Sequence, residues 1–500
     1  MSMSKRRFIK TVGAAAAVTA FGPGRAAQRR RYDVLIIGAG TAGVPAAIFA
    51  AARGASVLVV DVAPAIGGTL MMTSGQMSAA GTRVQRQKGI VDTPDLHFQD
   101  LMRISRGTID QDIARLAVDN AAATVDWLID NGYELLPESP VKGIAHEPYS
   151  KPRYYWSASR GIGILEAMRP KFMQEVKAGN IDLLLEHRAV ALQTDASGAI
   201  AAVVVEDSGG RRSEWQSRNV VLASGGYASN ASMFEKYSGF PKYLDASYPF
   251  AQGEGQVLAE SVGGYMRYAE KYLTNFGILL ASSAVPSTKR ATTQFHPQVR
   301  QPWEIYVNSK GQRFVREDVP SVDAREHAFH FQPDLRHWVV FDQTVLDEAP
   351  PILQDWTREA MVEAFKGPDA NFFRGETIFA LAKAAGLPEN ELAATVEGYN
   401  YGVTTGNDFY GRKHLPTKLQ KPPFYAIRHQ GTSITSTAGI AVNEKLQVVR
   451  SDASAIPNLY AAGEILGAGA TQGQAFCGGM MVTPALTFGR LLGERIIQFS

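Results

Sequence analysis

Five hundred residues exceed what one hydrophobic core holds and point to two domains, and a hydrophobic content of 45% with 20% charged residues is that of a soluble globular chain. A net charge of +3, with basic residues scattered apart from an N-terminal cluster, argues against nucleic acid as a partner. The single cysteine, Cys477, excludes an intramolecular disulfide, a CxxCH haem attachment and any cysteine-based zinc or iron–sulfur site, and no metal is expected.

Residues 1–30 read as a leader. Ser4-Lys5-Arg6-Arg7-Phe8-Ile9-Lys10 precedes a mildly apolar run from Thr11 to Phe21, and small residues continue from Gly22 to Ala27. A basic region, a short apolar region and small residues compose a signal peptide. It resembles a twin-arginine signal, whose machinery exports folded proteins, with the pair read as Arg6-Arg7, or as Lys5-Arg6 if Phe8 sets the register. The alternative is a basic tail on a cytosolic protein. The apolar run is too short to span a bilayer, and no later stretch reaches about 18 uncharged apolar residues. The mature chain is therefore expected to be soluble and periplasmic or otherwise exported.

The stretch from Arg31 to Asp61 organises the remainder of the chain. Tyr32-Asp33-Val34-Leu35-Ile36-Ile37 is a short apolar, β-branched run ending on glycine, the pattern of a buried parallel strand. It leads into Gly38-Ala39-Gly40-Thr41-Ala42-Gly43, a GxGxxG turn. An alanine-rich helix from Val44 to Ala52 comes next, then a strand from Ser56 to Val60 and Asp61, eighteen residues past the last glycine of the turn. Gly38 permits the tight turn, Gly40 lets backbone approach a pyrophosphate, and Gly43 lets the helix pack on the strand. The helix N-terminus offers N–H groups to phosphates, and Asp61 offers a carboxylate to a ribose hydroxyl. Strand, turn, helix, strand and acid in this order compose a dinucleotide-binding βαβ unit.

Ile66-Gly67-Gly68-Thr69 and Thr73-Ser74-Gly75 form a second glycine-rich segment, placed to line the rest of a flat cofactor. Residues 93–134 alternate polar breaks with helical patterns, as from Ile113 to Asn131. Val141 to Arg160, with Tyr149, Tyr154, Tyr155 and Trp156, reads as a loop over the sheet or as simple aromatic packing. Ile181 to Leu185, Ala189 to Gln193 and Ile200 to Glu206 read as strands, with a turn at Asp207 to Gly210. Asn219 to Gly226 is another buried strand ending in glycines, and Gly253-Glu254-Gly255-Gln256 opens a helix. From about 285 short strands and aromatic loops take over, helical patterns run to about 400, and a last helix spans about Met480 to Gln498. The expected organisation is a leader at 1–30, a cofactor domain from 31–285 and 431–500, and a substrate cap inserted at 286–430. In class it is α/β, a Rossmann-like domain with an inserted α+β cap.

Several of these stretches carry a resemblance. The GxGxxG unit, Leu222-Ala223-Ser224-Gly225-Gly226 and Leu459-Tyr460-Ala461-Ala462-Gly463-Glu464 resemble the FAD-binding domain of the fumarate reductase and 3-ketosteroid dehydrogenase superfamily. Gln294-Phe295-His296-Pro297, Val307-Asn308 and Gly311 through Glu317 resemble its capping domain, so the similarity spans 32 to 498. The resemblance implies FAD extended across the sheet, with Asp61 at the adenosine ribose and Glu464 on the ribityl side. It implies contacts from Gly38, Gly40, Thr41, Ala42, Gly43, Gly67, Gly68, Thr69, Ser74, Gly75, Ala223, Ser224, Gly225, Gly463, Gly479, Met480 and Met481. The last helix would aim its N-terminus at the flavin, whose reduced ring carries negative charge. Nicotinamide dinucleotide fits the first turn equally well. The second glycine segment and Ala461-Ala462-Gly463-Glu464 favour FAD.

Departures from the family bear on the substrate. Where fumarate reductases carry His-His-Thr-Met-Gly-Gly, this chain has Ile434-Thr435-Ser436-Thr437-Ala438-Gly439. The second carboxylate-binding arginine falls near Phe476, and the proton-donating arginine falls in Val319-Pro320-Ser321-Val322. A buried dianion without counter-charges loses several kcal/mol, which argues against fumarate. Thr483 to Gly489 leans toward the ketosteroid dehydrogenases, yet their tyrosine base falls at Pro320-Ser321, and an unactivated serine is a poor base.

The candidate catalytic residues each have two readings. His296 orients substrate by resemblance, or closes a turn before Pro297. Arg300 bonds a carbonyl or carboxylate, or pairs with Glu304. Arg325, one helical turn past Val322, replaces the lost arginine with Asp318 or Asp323 as relay, or forms an ion pair with Glu326 or Asp323. Tyr425 acts as base or acid, or packs the domain hinge; Cys477 bonds flavin covalently, or is an inert buried thiol. The expected function is that of an exported FAD-dependent oxidoreductase acting on CH–CH bonds, by α,β-dehydrogenation of a ketone, cyclic or steroid-like. Backbone N–H groups from 467–480 hold the carbonyl, a base from the cap takes a proton, and hydride passes to flavin N5. The alternative is a periplasmic reductase of enoates or enones; a third is an electron-carrying flavoprotein, for which a cap has no use. Partners are a small-molecule substrate, an external electron acceptor or donor (quinone, cytochrome or oxygen) and the export machinery.

Overall fold

In the computed structural model the described residues are 31–143 and 146–496, so the expected leader and the expected end of the last helix lie outside them. The first domain starts with β1 (Tyr32–Ile37), α1 (Gly43–Ala51), β2 (Val57–Asp61), α2 (Gln111–Asp130), α3 (Arg160–Ala178) and β3 (Ile181–Leu185). A three-stranded antiparallel unit comes next, β4 (His187–Thr194), β5 (Ile200–Asp207) and β6 (Arg212–Trp215), then β7 (Ser217–Leu222) and α4 (Glu254–Ser261). The cap contributes β8 (Ile305–Asn308), α5 (Val322–His330), β9 (Arg336–Asp342), β10 (Phe372–Gly375), α6 (Ile378–Ala385), α7 (Glu389–Thr405) and β11 (Phe424–Gln430). The chain then returns through β12 (Gln447–Val449) and β13 (Ala455–Ala461) to α8 (Val482–Arg495).

The central sheet has the order β12-β13-β7-β1-β2-β3, parallel throughout except for the β12–β13 pair. Its inner strands are buried on both faces, which is why they read as unbroken apolar runs rather than alternating ones. Helices α1 and α8 cover one face in close contact. A Cβ on Gly489 would stand 2.1 Å from Ala42 O, so only glycine lets α8 lie directly on the start of α1. This contact lays the start of α1 against the middle of α8, and both helix starts open on the same cleft.

The cap sheet, β8-β9-β11-β10, is antiparallel and encloses a second core. That core also takes in Phe234, Tyr272, Phe276 and Leu279, which precede position 286. Two elements were not visible in the sequence pattern. Helix α3 begins with Gly161 and Gly163 and contains Pro170, all of which mask a helical period, and β10 falls within the stretch that read as helical. Among the described residues no helix is long and apolar enough to cross a membrane.

Two histidines are paired across the cap sheet, His337 on β9 opposite His429 on β11, with rings stacked at 5.1 Å. His337 bonds Phe276 O at 2.9 Å, and His429 Nε2 faces Thr293 Oγ1 at 2.7 Å. Burial, and for His337 the neighbouring His429, depresses both, His429 to about 4. The unfolded chain binds these protons near pH ~6.5. Between about 6.5 and 4 the unfolded state therefore takes up protons that the folded state refuses, and stability is full above that window and lost as the pH falls through it. His429 alone accounts for roughly 3 kcal/mol across the window. Urea midpoints are expected to fall between pH 7 and 5, and less so in His429→Gln. Equal midpoints at both pH values would refute this account.

Candidate active site

A long cleft crosses the carboxyl ends of β1, β2 and β7, where open parallel sheets bind ligands. Helices α1 and α8 both start at it, their N-caps Ala42 and Met481 line it, and neither has a side-chain cap. Their first-turn N–H groups are thus left for a ligand, and two converging helix N-termini favour an anionic one. Gly38, at φ 110°, brings the turn so close to β7 that a Cβ would lie 2.3 Å from Ala223 O. Gly225 faces the cleft with nothing within 4 Å of a built Cβ.

Polar groups stand on both sides of this centre. Asp61 lines the cleft while accepting from Ala39 N at 2.5 Å and Ala63 N at 2.7 Å, so it braces the glycine turn and keeps lone pairs for a sugar hydroxyl. Burial pushes its carboxyl up. At the other side Glu464 accepts from Ser436 N at 2.9 Å and is likewise pushed up by burial. Ser224 Oγ, also on the cleft, is buried without a partner among the described residues.

Six residues expected at the cofactor stand off the cleft wall. Gly43 packs α1 onto the turn, since its Cβ would lie 1.8 Å from Gly38 O. Gly67 and Gly75 allow close contact with α3, where a Cβ would stand 2.6 Å from Leu165 Cδ2 and 2.4 Å from Gly161 N, and a Cβ on Gly479 would stand 2.4 Å from the Met77-Ser78 backbone. Ser74 and Met480 do not line the cleft either.

A loop of the first domain, residues 146–157, meets the glycine-rich run before α8 and the cap helix α5. Arg153 anchors it, wholly buried, with a bidentate bond to Asp92 (2.9 and 2.7 Å) and a third bond to Asp100 at 2.8 Å. Two carboxylates and the carbonyl of Leu96 satisfy the guanidinium, which makes its burial tolerable. Tyr149 OH donates to Gly478 O at 2.6 Å, tying the loop to the glycine-rich run before α8.

This loop carries His146, whose Nδ1 lies 3.1 Å from Asp323 Oδ1 on α5 of the cap. Asp323 also accepts from the N–H groups of Glu147 (2.8 Å) and Phe476 (3.4 Å), so two distant segments converge on one cap carboxylate. Phe476 stacks on the His146 ring at 4.2 Å. Burial opposes the charged imidazole, yet the Asp323 bond and the Glu326 and Asp323 charges outweigh it and raise the His146 pKa. Burial likewise works against the Asp323 carboxylate, and its bonds overcome that and lower it. Glu326 is lifted to about 7 by burial.

Arg325 lies in the same helix with no exposed surface. Its Nη1 donates to Val319 O at 3.1 Å, whereas Nε and Nη2 have no acceptor among the described residues. Burial lowers its pKa. His296 stands near enough that burial, then Arg325, then His146 depress its pKa, and His296 Nδ1 is also without a partner among the described residues. The structure thus brings Arg325 and His296 together with His146, Asp323, Glu326 and Phe476. His146 and Glu326 were missed as functional groups; a lone histidine among the tyrosines, prolines and arginines of the loop was the available signal.

The other candidates stand elsewhere. Arg300 forms a bidentate ion pair with Glu304 (2.9 and 3.0 Å) and bonds Pro350 O. Tyr425 lies in the cap core, its OH on Gln343 Oε1 at 2.6 Å and its ring on Phe341. Asp318 is held by Arg316 and by the N–H groups of Lys413 and His414. Cys477 is buried, off the cleft wall, and burial pushes its thiol up.

Comparison with known proteins gives a consistent picture. A family profile described as "FAD binding domain" matches residues 33–480. A fumarate reductase (cytochrome) of Shewanella frigidimarina is 28% identical over 94% of this chain and 77% of its own length. A urocanate reductase of Eggerthella lenta is 28% identical over 92% of this chain and 74% of its own. In fold, the crystal structure of 3-ketosteroid delta1-dehydrogenase from Sterolibacterium denitrificans superimposes with a TM-score of 0.70 at 20% identity, covering 94% of this chain and all of that one. The matches fall on both sides of the superfamily. FAD fits the cleft: the uncapped start of α1 for a pyrophosphate, the uncapped start of α8 for the flavin, Asp61 and Glu464 for hydroxyls on either side, and the unpartnered Ser224 Oγ.

Proposed function

The chain belongs to the FAD binding domain family and is an FAD-dependent oxidoreductase of the fumarate reductase and 3-ketosteroid dehydrogenase superfamily, and from that premise we propose that it reduces a carbon–carbon double bond conjugated to a carbonyl or a single carboxylate. Arg325 carries this reading. A fully buried guanidinium with two nitrogens unpartnered among the described residues is a desolvated donor that suits a carbonyl or carboxylate oxygen. One such cation balances one carboxylate. A dicarboxylate needs a second counter-charge, and Phe476 occupies the place expected for it.

Bound FAD supplies the hydride. Arg325 and His296 hold the substrate oxygen and draw electron density out of the double bond, which makes the β-carbon electrophilic. Phe476, stacked on His146 at 4.2 Å, presents an apolar surface that keeps water away from the reacting carbons. Support for the reducing direction comes from the two 28% identical relatives, both named reductases. The N-terminal leader supports an exported protein fed by an external donor such as a quinol or a cytochrome.

Anaerobically reduced holoprotein is expected to be reoxidised by enones or monocarboxylic enoates, with the flavin band near ~450 nm returning. Bleaching of oxidised protein by saturated ketones, with no reoxidation by any enone or enoate, would overturn the reading in favour of dehydrogenation.

A further inference from the structure

We propose that His146 hands the proton to the substrate, and that Asp323 and Glu326 make with it a proton-holding assembly built from both domains. The inference rests on the reductive reading above. Reduction of a double bond needs a proton at the carbon next to the one that takes hydride, and the positions where the resemblance sets a proton donor, Val319 to Val322, offer none. Ser321 caps α5, its Oγ accepting from Ala324 N at 3.1 Å, and the other candidate, Tyr425, is packed in the cap core.

His146 is placed for the task. Its Nδ1 faces Asp323 Oδ1 at 3.1 Å, which fixes the tautomer and leaves Nε2 for a substrate. The His146 side chain is 28% exposed against 4% for Asp323, so the imidazole is the member of the pair that a substrate reaches. Glu326, one helical turn beyond Asp323, completes a group whose ligand-type atoms all lie within 4.8 Å of one another. The charged and titratable groups acting on His146 are Asp323, Glu326 and Arg325 on α5 and His296 on the preceding cap loop. Two carboxyls against one guanidinium favour the imidazolium, in line with the raised proton affinity of His146.

The step balances. With hydride delivered to the β-carbon from reduced flavin, the His146 Nε2–H bond breaks and a C–H bond forms at the α-carbon. The N–H electron pair stays on Nε2, and the imidazolium becomes neutral imidazole still bonded to Asp323 through Nδ1. Glu326, held at about 7 by burial, carries a proton for part of the time near neutrality and restores the imidazolium, itself refilled from water. Asp323 and Glu326 are positioning residues here, acting through His146. A divalent cation suits the same three donors on spacing alone, but Arg325 beside them and the two N–H groups already on Asp323 favour protons.

His146→Gln is expected to lower kcat by about 100-fold or more at saturating enone or enoate, with flavin content and KM little changed. Asp323→Asn is expected to move the alkaline limb of the kcat profile, where the imidazolium gives up its proton, to lower pH, and Asp323→Glu to restore it. Independently of any substrate, ¹⁵N-histidine NMR of the holoprotein is expected to show one imidazole titrating above the ordinary histidine value and dropping in Asp323→Asn. Wild type that turns over no enone or enoate defeats the substrate reading, while the titration still decides the assembly. Active wild type with His146→Gln within about threefold of its kcat overturns the proton assignment. So does a titration unmoved in Asp323→Asn, or a stoichiometric metal ion that this variant loses.

Discussion

Replacing Arg325 by methionine is expected to give a stable yellow protein that has lost about three orders of magnitude in kcat/KM, near 4 kcal/mol of transition-state stabilisation. The two halves of that result have one origin. A buried guanidinium whose Nε and Nη2 lack acceptors among the described residues weakens the fold, so an apolar side chain of similar volume relieves the desolvation penalty. Against this stands the bond from Nη1 to Val319 O, and losing its donor costs about 1 kcal/mol. The net change in unfolding free energy is expected to be zero or favourable, and the Tm to hold or rise. The same side chain is the donor to the substrate oxygen, so activity falls while stability does not. Thermal unfolding and steady-state kinetics on the two proteins check both halves. A variant that loses stability and activity together would show Arg325 to be structural, and one that keeps its activity would end its role at the substrate.

Alanine at Gly43 is expected to yield colourless protein or none. Its Cβ would stand 1.8 Å from Gly38 O and 2.9 Å from Gly38 C, backbone of the turn itself that no side-chain rotation can move aside. Either α1 lifts from the turn or the turn opens, and both displace the α1 N-terminus from the cleft. The strain is worth about 3 kcal/mol or more, to which the lost stabilisation by bound FAD adds. Gly398 on α7 is the control: a Cβ there meets nothing within 4 Å, and alanine should help the helix by up to ~1 kcal/mol. Flavin fluorescence released on boiling, per mole of protein, reads the outcome. Wild-type flavin content in Gly43→Ala would remove the close-packing argument.

Locality decided how much could be read beforehand. The βαβ unit showed itself because every part of it, from Tyr32 to Asp61, lies within one short stretch and each glycine answers a local steric demand. The glycines at 67 and 75 were legible as a motif but not in role, since their partner, α3, is a helix interrupted by its own glycines and a proline. Arg325 and His296 were legible as candidates through resemblance and spacing. His146 was not, because its significance arises from Asp323, 177 residues away, and from Phe476 in a third segment. A pattern search along the chain finds periodicity; it does not find a carboxylate shared by two distant segments of backbone. Arg300 and Tyr425 mark the converse limit, residues of the right chemistry whose partners, Glu304 and Gln343, engage them within the cap.

The place of α8 carries one more consequence. Its first residues line the same cleft as the GxGxxG turn, and Gly489 rests on Ala42, so the cofactor cradle is closed by segments from opposite ends of the sequence. A nascent chain still threaded in the ribosome at residue 470 owns the phosphate turn but not its lid. Flavin capture is therefore an event of the finished polypeptide, and any truncation upstream of Val482 should release a chain that can neither hold its pigment nor complete its sheet-covering layer.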